Sequence, residues 1–156
     1  MITIAVEEYT GERDALRWSF QLAEDSESEL LSYLYRGRVL VARVDGRVAG
    51  HLLLVDTAAP GEAELKSMAV RTDLQGQGIG AALVEAARAL LLNAGVRVLH
   101  VATAAASSAN LRFYQRRGFR MRAVERDAFT AATGYPPGIV VEGILLRDRV
   151  WLDMEL

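Results

Sequence analysis

The chain has 156 residues, which predicts one domain spanning residues 1–156 with a full-sized hydrophobic core. Hydrophobic residues make up 51% of the chain and there is no cysteine, so the composition is typical of a globular protein and excludes disulfides and thiolate catalysis. The net charge of −2 argues against nucleic acid as the main partner, and no apolar run reaches the roughly 18 residues of a membrane span, so we expect a cytoplasmic protein with no membrane partner.

The first half of the chain predicts one strand, two helices and three more strands. The apolar run "ITIAV" predicts the first strand, and residues 11–37 predict two helices broken near Asp25–Ser28, with Gly37 as a C-cap. Two apolar runs around the Asp45–Gly46 turn predict a hairpin. The segment "EAELKSMAV", residues 62–70, predicts a further strand.

The second half alternates helices and strands. Apolar residues at helical spacing predict a helix over 78–94, and strand 96–102 follows. A helix with serines at its start precedes strand 119–125, a loop of about residues 127–143 and a last strand. The element order is therefore β-α-α-β-β-β-α-β-α-β-β, and strands 62–70 and 96–102 should be parallel because a helix joins them.

The segment "LQGQGIG", residues 74–80, places glycine at Gly76, Gly78 and Gly80, just before the longest helix. Glycine in a helix costs about 1 kcal/mol relative to alanine, so three glycines need an explanation. The first N–H groups of a helix have no internal partner, and glycines allow a phosphate to approach them closely. A tight turn needs one glycine only, so the pattern predicts a phosphate-binding loop.

Two common phosphate motifs fit this loop poorly. A nucleotide P-loop needs Gly-Lys-Ser/Thr after the glycines, whereas this chain has Gly-Ile-Gly. A dinucleotide fingerprint on Gly76-x-Gly78-x-x-Ala81 needs an acid at the end of the next strand, and that strand ends in Ala102 and Thr103.

The run "Gln75-Gly76-Gln77-Gly78-Ile79-Gly80" resembles the Q/R-x-x-G-x-G/A pyrophosphate loop of the GNAT superfamily of acyl-CoA-dependent N-acyltransferases. "ELKSMAV" resembles the strand that leads into that loop, and "SSANLRFYQRRGF", residues 107–119, resembles a later motif of the family. The element order matches over essentially the full length. The resemblance implies an α/β fold with a mixed, mostly antiparallel central sheet of about seven strands and helices on both faces.

The resemblance also implies acetyl-CoA as co-substrate, with no metal. Loop amides would hold the pyrophosphate, the strand before the loop would pair with the pantetheine arm, and the amide near Met68 would face the thioester oxygen. The residues implied for binding acetyl-CoA are Met68, Ala69, Val70, Gln75, Gly76, Gln77, Gly78, Ile79, Gly80, Ala81, Asn110 and Tyr114.

Two catalytic residues follow from the same resemblance. The Tyr114 hydroxyl would lie near the sulfur and act as general acid on the departing thiolate. Glu64, six residues before Val70, would be the general base, with His51 or a chain of waters as alternatives. On a regular strand Glu64, Lys66 and Met68 share one face unless a bulge intervenes, and Lys66 is placed to pair with Glu64.

The sequence constrains the identity of the acetyl acceptor less closely than that of the donor. Acidic residues in the first two helices and the long loop containing Tyr135 suggest a small cationic primary amine, acetylated by direct transfer in a ternary complex. Against this, arginines near the loop could bind a carboxylate: Arg126, Arg147 and Arg149. The alternatives left open are a CoA-binding sensor without turnover and a protein N-terminal or lysine acetyltransferase. A homodimer is a further option.

Overall fold

The computed structural model describes residues 2–156, which form a mixed α/β sheet with helices packed against it. Within these residues no helix has both the length and the apolar character that crossing a bilayer requires. The elements are β1 (Ile4–Tyr9), α1 (Arg17–Ala23), α2 (Glu27–Tyr33), β2 (Arg38–Val44), β3 (Arg47–Asp56), β4 (Glu62–Val70), α3 (Ile79–Asn93), β5 (Val98–Ala104), α4 (Ser108–Arg116), β6 (Arg120–Glu125), β7 (Val140–Val141), β8 (Ile144–Leu145) and β9 (Arg149–Glu155).

Seven strands form the central sheet in the order β1-β2-β3-β4-β5-β9-β6. Only β4 and β5 pair in parallel, as the intervening helix α3 predicts, and every other neighbouring pair is antiparallel. The predicted sheet is confirmed. The two-residue strands β7 and β8 form a separate small hairpin at the end of the predicted loop of about residues 127–143 and just beyond it, and they are too short to leave an alternating pattern in the sequence.

Helices cover both faces of the sheet, as predicted. Leu52 and Leu54 of β3 belong to the core on the α3 side, whereas Leu53 between them belongs to the core that also contains Phe20 and Leu30 of α1 and α2. Because successive strand residues point to opposite faces, this nearly continuous apolar strand serves two cores at once.

A β-bulge at Lys66 changes which residues of β4 share a face. Leu54 pairs with Leu65 and Leu53 pairs with Ser67, so Lys66 is the extra residue on β4. Leu65 and Met68 pack on the α3 side, which puts Glu64 on the opposite face from Met68. The bulge therefore places Glu64 and Met68 on opposite faces of the sheet, whereas a regular strand would place them on the same face.

The two parallel strands separate beyond the bulge. β4 pairs with β5 only over Glu62–Leu65 and Val98–Val101, although β4 continues to Val70 and β5 to Ala104. The edge of β4 that faces β5 is left without a neighbouring strand from Lys66 onward. This gap opens a passage through the sheet, and the candidate site lies in it.

Candidate active site

A cleft of about 940 Å³ occupies the gap between β4 and β5. It is bordered by the glycine loop, by α4, by the connection between α1 and α2, and by the segment after β6. Among the residues predicted to form the site, those lining the cleft are Glu64, Met68, Ala69, Val70, Gln75, Gly76, Gly78, Ile79, Gly80, Asn110 and Tyr114. In the described structure, Gln77, Ala81 and His51 lie outside that lining.

Gly76 and Gly78 give the loop its conformation. Their φ angles are +80° and +86°, in the left-handed region that favours glycine, and a Cβ at either position would meet no atom within 4 Å. The first backbone hydrogen bond of α3 runs from Ala82 N to Gly78 O at 3.0 Å, so the amides of residues 79–81 precede it and need another acceptor. An open space in front of unpaired amides at the positive end of a helix fits the pyrophosphate of CoA.

Gly80 has a different role from the other two glycines. A Cβ there would lie 3.2 Å from Cζ and 3.3 Å from Cε1 of Phe113 on α4. The missing side chain therefore lets α3 and α4 pack closely beside the loop. The phosphate interpretation of the sequence assigned all three glycines to one purpose, whereas the structure divides them between loop shape and helix packing.

The backbone of β4 offers hydrogen-bonding groups to the gap. Arg71 N donates to Ala49 O at 2.7 Å, which fixes the alternation along the antiparallel β3–β4 pair. By that alternation the peptide groups of Ala69 point to β3, while those of Met68 and Val70 point to the gap. Of the three residues predicted to bind the pantetheine arm through their backbone, two are oriented for it.

Tyr114 is held by its aromatic neighbours at the wall of the cleft. Its ring packs edge-on against Phe113 and Phe119, with centroid distances of 5.2 and 5.5 Å, and the residue is 6% exposed. Burial raises the pKa of the Tyr114 phenol well above its ordinary value, so the hydroxyl is protonated at neutral pH. The hydroxyl is therefore in the proton-donating form, and because the raised pKa makes it a weaker acid than a free phenol, proton transfer depends on a strongly basic acceptor beside it.

Asn110 lies one helical turn before Tyr114 and lines the same cleft. Its Nδ2 donates to Thr103 Oγ1 of β5 at 3.2 Å, which orients the amide and leaves the carbonyl Oδ1 to accept a hydrogen bond. The Ser107 hydroxyl at the start of α4 accepts from Asn110 N at 3.2 Å, so the helix end that carries Asn110 is itself fixed.

We expect Asn110→Ala to weaken acetyl-CoA binding by about two- to tenfold, the loss of one net hydrogen bond. Titration calorimetry measures the change, with Thr103→Val as a comparison variant that removes the partner of Asn110 Nδ2 and keeps the Asn110 amide. An unchanged affinity in Asn110→Ala would contradict a direct contact between Asn110 and the ligand.

Glu64 reaches the cleft from the face opposite Met68. Its side chain is 18% exposed and lies 3.8 Å from Lys66 Nζ, so the predicted pairing of these two residues is present. The Lys66 ammonium also lies 5.4 Å from the centre of the Tyr33 ring. Glu64 and Tyr114 approach the gap from opposite faces of the sheet, since Tyr114 belongs to the core on the α3 side.

His51 is a structural residue. It is 0% exposed, its Nδ1 lies 2.6 Å from Ser19 Oγ, its Nε2 lies 2.8 Å from Ser67 Oγ, and its ring stacks on Phe20. Burial lowers the pKa of His51 to about 3, so the imidazole is neutral at physiological pH. The alternative that assigned the general base to His51 is wrong, because no acceptor amine can reach this buried ring.

The buried His51 predicts a specific pH dependence of stability. Its pKa is depressed in the folded state, so its contribution is complete above the unfolded-state value near 6.5 and is lost as the pH falls toward 3. From about pH 7.5 to about pH 5.5, the wild type should lose about 1.4 kcal/mol more unfolding free energy than His51→Gln. Urea denaturation at both pH values checks this, and equal losses in the two proteins would contradict it.

Sequence reasoning missed a group of three residues at the far end of the cleft. The carboxylate of Glu24 accepts hydrogen bonds from the Tyr33 hydroxyl at 3.0 Å and from the Tyr135 hydroxyl at 2.8 Å, and all three residues line the cleft. Glu24 and Tyr135 are 111 residues apart, so no local motif links them. The available signals were only the acidic character of the first helices and the aromatic residue in a long loop.

Comparison with known proteins places this architecture in a family. The model of the Acetyltransferase (GNAT) family matches residues 5–119. The chain belongs to the GNAT family. An uncharacterized N-acetyltransferase of Bacillus subtilis (strain 168), YvbK, is 33% identical over 135 residues, which are 86% of this chain and 85% of that protein.

Solved structures of other GNAT proteins agree with this assignment. The IAA acetyltransferase from Bacillus cereus ATCC 14579 has a TM-score of 0.89 at 33% identity, covering 99% of this chain and 100% of that chain. A Bacillus subtilis acetyltransferase in complex with CoA has a TM-score of 0.89 at 30% identity, covering 99% of each chain. This GNAT protein is an acetyl-CoA-dependent N-acetyltransferase with acetyl-CoA as co-substrate.

Proposed function

We propose that the enzyme transfers the acetyl group of acetyl-CoA directly to a primary amine of a small molecule, within one ternary complex. The observation that carries this proposal is the continuous cleft through the sheet at the β4–β5 gap. The glycine loop, Asn110 and Tyr114 line its donor half, and Glu64 enters from the opposite face. A donor and an acceptor that enter such a passage from its two sides can meet without an enzyme-bound acetyl intermediate.

In the donor half, the geometry supports a proposed task for each group. The amides at the start of α3 bind the pyrophosphate, and the peptide groups of Met68 and Val70 pair with the pantetheine arm. The Met68 N–H points to the gap and donates to the thioester oxygen, where negative charge develops as the amine attacks. Asn110 Oδ1 accepts a hydrogen bond from the arm.

Two proton transfers accompany the reaction. A primary amine with a pKa near 10.4 is mostly protonated at neutral pH, so its proton must leave before the nitrogen can attack. Glu64 takes that proton directly or through a water. As the C–N bond forms and the C–S bond breaks, the Tyr114 hydroxyl gives its proton to the departing thiolate, yielding an acetamide and free CoA.

The charge of the acceptor half favours a cationic small molecule. Glu24, Asp25 and Glu29 line this end of the cleft. Of the three arginines that could have bound a carboxylate, two are paired with acids: Arg147 Nε lies 2.8 Å from Asp127 Oδ1, and Arg149 Nη1 lies 3.3 Å from Glu125 Oε1. Arg126 lies outside the cleft lining, and Arg149 is the one of the three that lines it. A single domain, a cytoplasmic location and the option of a homodimer remain predictions from the sequence.

Initial-rate kinetics test direct transfer. When acetyl-CoA and a small primary amine are varied together, we expect intersecting double-reciprocal plots and no release of CoA thiol without amine. Parallel plots with a burst of free thiol would contradict direct transfer. Binding of acetyl-CoA without turnover on any amine would instead support the sensor alternative.

A further inference from the structure

The carboxylate of Glu24 is fixed by three donors. Besides the two tyrosine hydroxyls, the backbone N of Ser26 donates to Glu24 Oε2 at 3.3 Å. Tyr33 and Tyr135 are both buried, and burial together with the adjacent Glu24 raises the pKa of each phenol. The two hydroxyls therefore stay protonated and donate, so the carboxylate is rigidly oriented at the wall of the cleft.

Within the described residues Glu24 has no cationic partner, as is also true of the adjacent cleft acids Asp25 and Glu29, and it differs from those two in the hydrogen bonds that fix its carboxylate. Glu64 pairs with Lys66, Glu125 with Arg149 and Asp127 with Arg147, whereas within residues 2–156 no lysine, arginine or histidine forms an ion pair with Glu24. The three donors occupy three of the roughly four lone-pair positions of a carboxylate, and one on Oε1 is left. Glu24 is half-buried, and a half-buried carboxylate is stabilised most by a cation. Because Glu24 lines the open cleft, a cation can approach it from there.

Glu24 and Glu64 are separate positions along the cleft. Lys66 and Tyr33 stand between them, because Lys66 Nζ lies 3.8 Å from Glu64 and 5.4 Å from the centre of the Tyr33 ring, whose hydroxyl reaches Glu24. A molecule that extends from the thioester to Glu24 therefore passes one carboxylate, one ammonium and a second carboxylate. Like charge disfavours a cation near Lys66, whereas opposite charge favours one at each end.

We propose that Glu24, oriented by Tyr33 and Tyr135, binds a second cationic group of the acceptor, so that the preferred substrates are diamines with an uncharged spacer. This inference rests on the proposed function, in which the first amine of the molecule is acetylated beside Glu64. The nitrogen that reacts must lose its charge, whereas the nitrogen at Glu24 keeps its charge and positions the molecule. Glu24 is thus a specificity-determining residue and takes no proton from the substrate.

The test compares acceptors of matched length that differ only at the far end. Diaminobutane, aminobutanol and aminobutyrate carry the same reacting amine with a cationic, neutral or anionic group opposite, and diaminopropane and diaminopentane vary the spacer. For the wild type, kcat/KM for the best diamine should exceed that for aminobutanol by about 10- to 100-fold, the value of one charge-assisted hydrogen bond. Equal wild-type kcat/KM values for the diamine and aminobutanol, or a preference for aminobutyrate, would overturn the proposal, and no variant is needed for this result.

Glu24→Gln removes the charge and keeps one of the two acceptor oxygens, so the tyrosine hydroxyl that faces the new NH2 group accepts a hydrogen bond instead of donating one. Its ratio of kcat/KM between diamine and aminobutanol should fall by about 10- to 100-fold, mainly through KM. The matched control is Glu27→Gln on α2, which makes the same charge change outside the cleft lining, at an exposed carboxylate paired with Arg17, and should keep the wild-type ratio. Equal ratios in wild type and Glu24→Gln, or an equal fall in both variants, would overturn a local role for Glu24.

A binding measurement separates this inference from the proposed function. Diaminobutane should raise the thermal midpoint of the wild-type complex with CoA, and should raise that of Glu24→Gln much less. If diamines stabilise the complex but no amine is acetylated, the proposed function fails and the binding site stands. If amines are acetylated without preference for diamines, and diamines do not stabilise the complex, the proposed function stands and this inference fails.

Discussion

Gly78→Asp is expected to abolish acetyl-CoA binding, with a loss of affinity of more than about a hundredfold. The backbone at Gly78 turns at a φ of +86° and faces open space, so a new carboxylate would stand where the pyrophosphate approaches the start of α3. The new carboxylate and the pyrophosphate would then compete for the same backbone amides at the start of α3. Because no atom lies within 4 Å of the added Cβ, the fold should survive with only the strain of a positive φ.

The structure offers a matched control for this variant. Gly46, in the β2–β3 turn, has a φ of +76° and open space around its would-be Cβ, and it lies outside the cleft. Gly46→Asp carries the same strain and the same charge, and should bind acetyl-CoA as the wild type does in titration calorimetry. Wild-type affinity in Gly78→Asp would show that residues 75–81 do not form the phosphate site.

Tyr114→Phe should lower turnover by about 10²- to 10⁴-fold, the range of a lost general acid. The ring stays in its edge-on packing between Phe113 and Phe119, so the fold and acetyl-CoA affinity should change little. The same burial that raises the pKa of the phenol also disfavours the departing thiolate, which increases the demand for a proton at the sulfur. The loss should therefore appear in kcat rather than in binding.

Single-turnover and steady-state kinetics on the best amine measure this effect. Since product release can mask a slower chemical step, the single-turnover rate decides. Tyr35→Phe is the control, because Tyr35 is an exposed tyrosine outside the cleft lining. Loss of its hydroxyl should leave the single-turnover rate unchanged. An unchanged single-turnover rate in Tyr114→Phe would remove this residue from the mechanism and leave water as the acid.

The parts of the fold that the sequence predicted are those encoded locally. The helix over α3, the turn at Asp45–Gly46 and the parallel pairing of β4 with β5 each follow from periodicity, turn residues or a helical crossover. The sequence alone does not predict the bulge at Lys66, because strand register depends on the partner strand. Its consequence, Glu64 and Met68 on opposite faces, could therefore be read only from the structure.

The same division applies to the candidate site. The glycine loop and the pair Asn110 and Tyr114 lie on contiguous motifs, and a resemblance could locate them. The pairing of Glu24 with Tyr135 joins two segments that are distant in the chain, and the burial of His51 between Ser19 and Ser67 depends on tertiary packing. A polar residue in an apolar strand looks the same in sequence whether it faces a cleft or a core.

The acetylation of a small amine is tested most directly by following the label from isotopically labelled acetyl-CoA in a metabolite extract that also contains peptides and proteins. We predict that the label appears in the acetamide of small cationic amines, and that Gly78→Asp produces none. Label found only on peptide N-termini or lysines, or acetyl-CoA bound without any labelled amine, would contradict the proposed function.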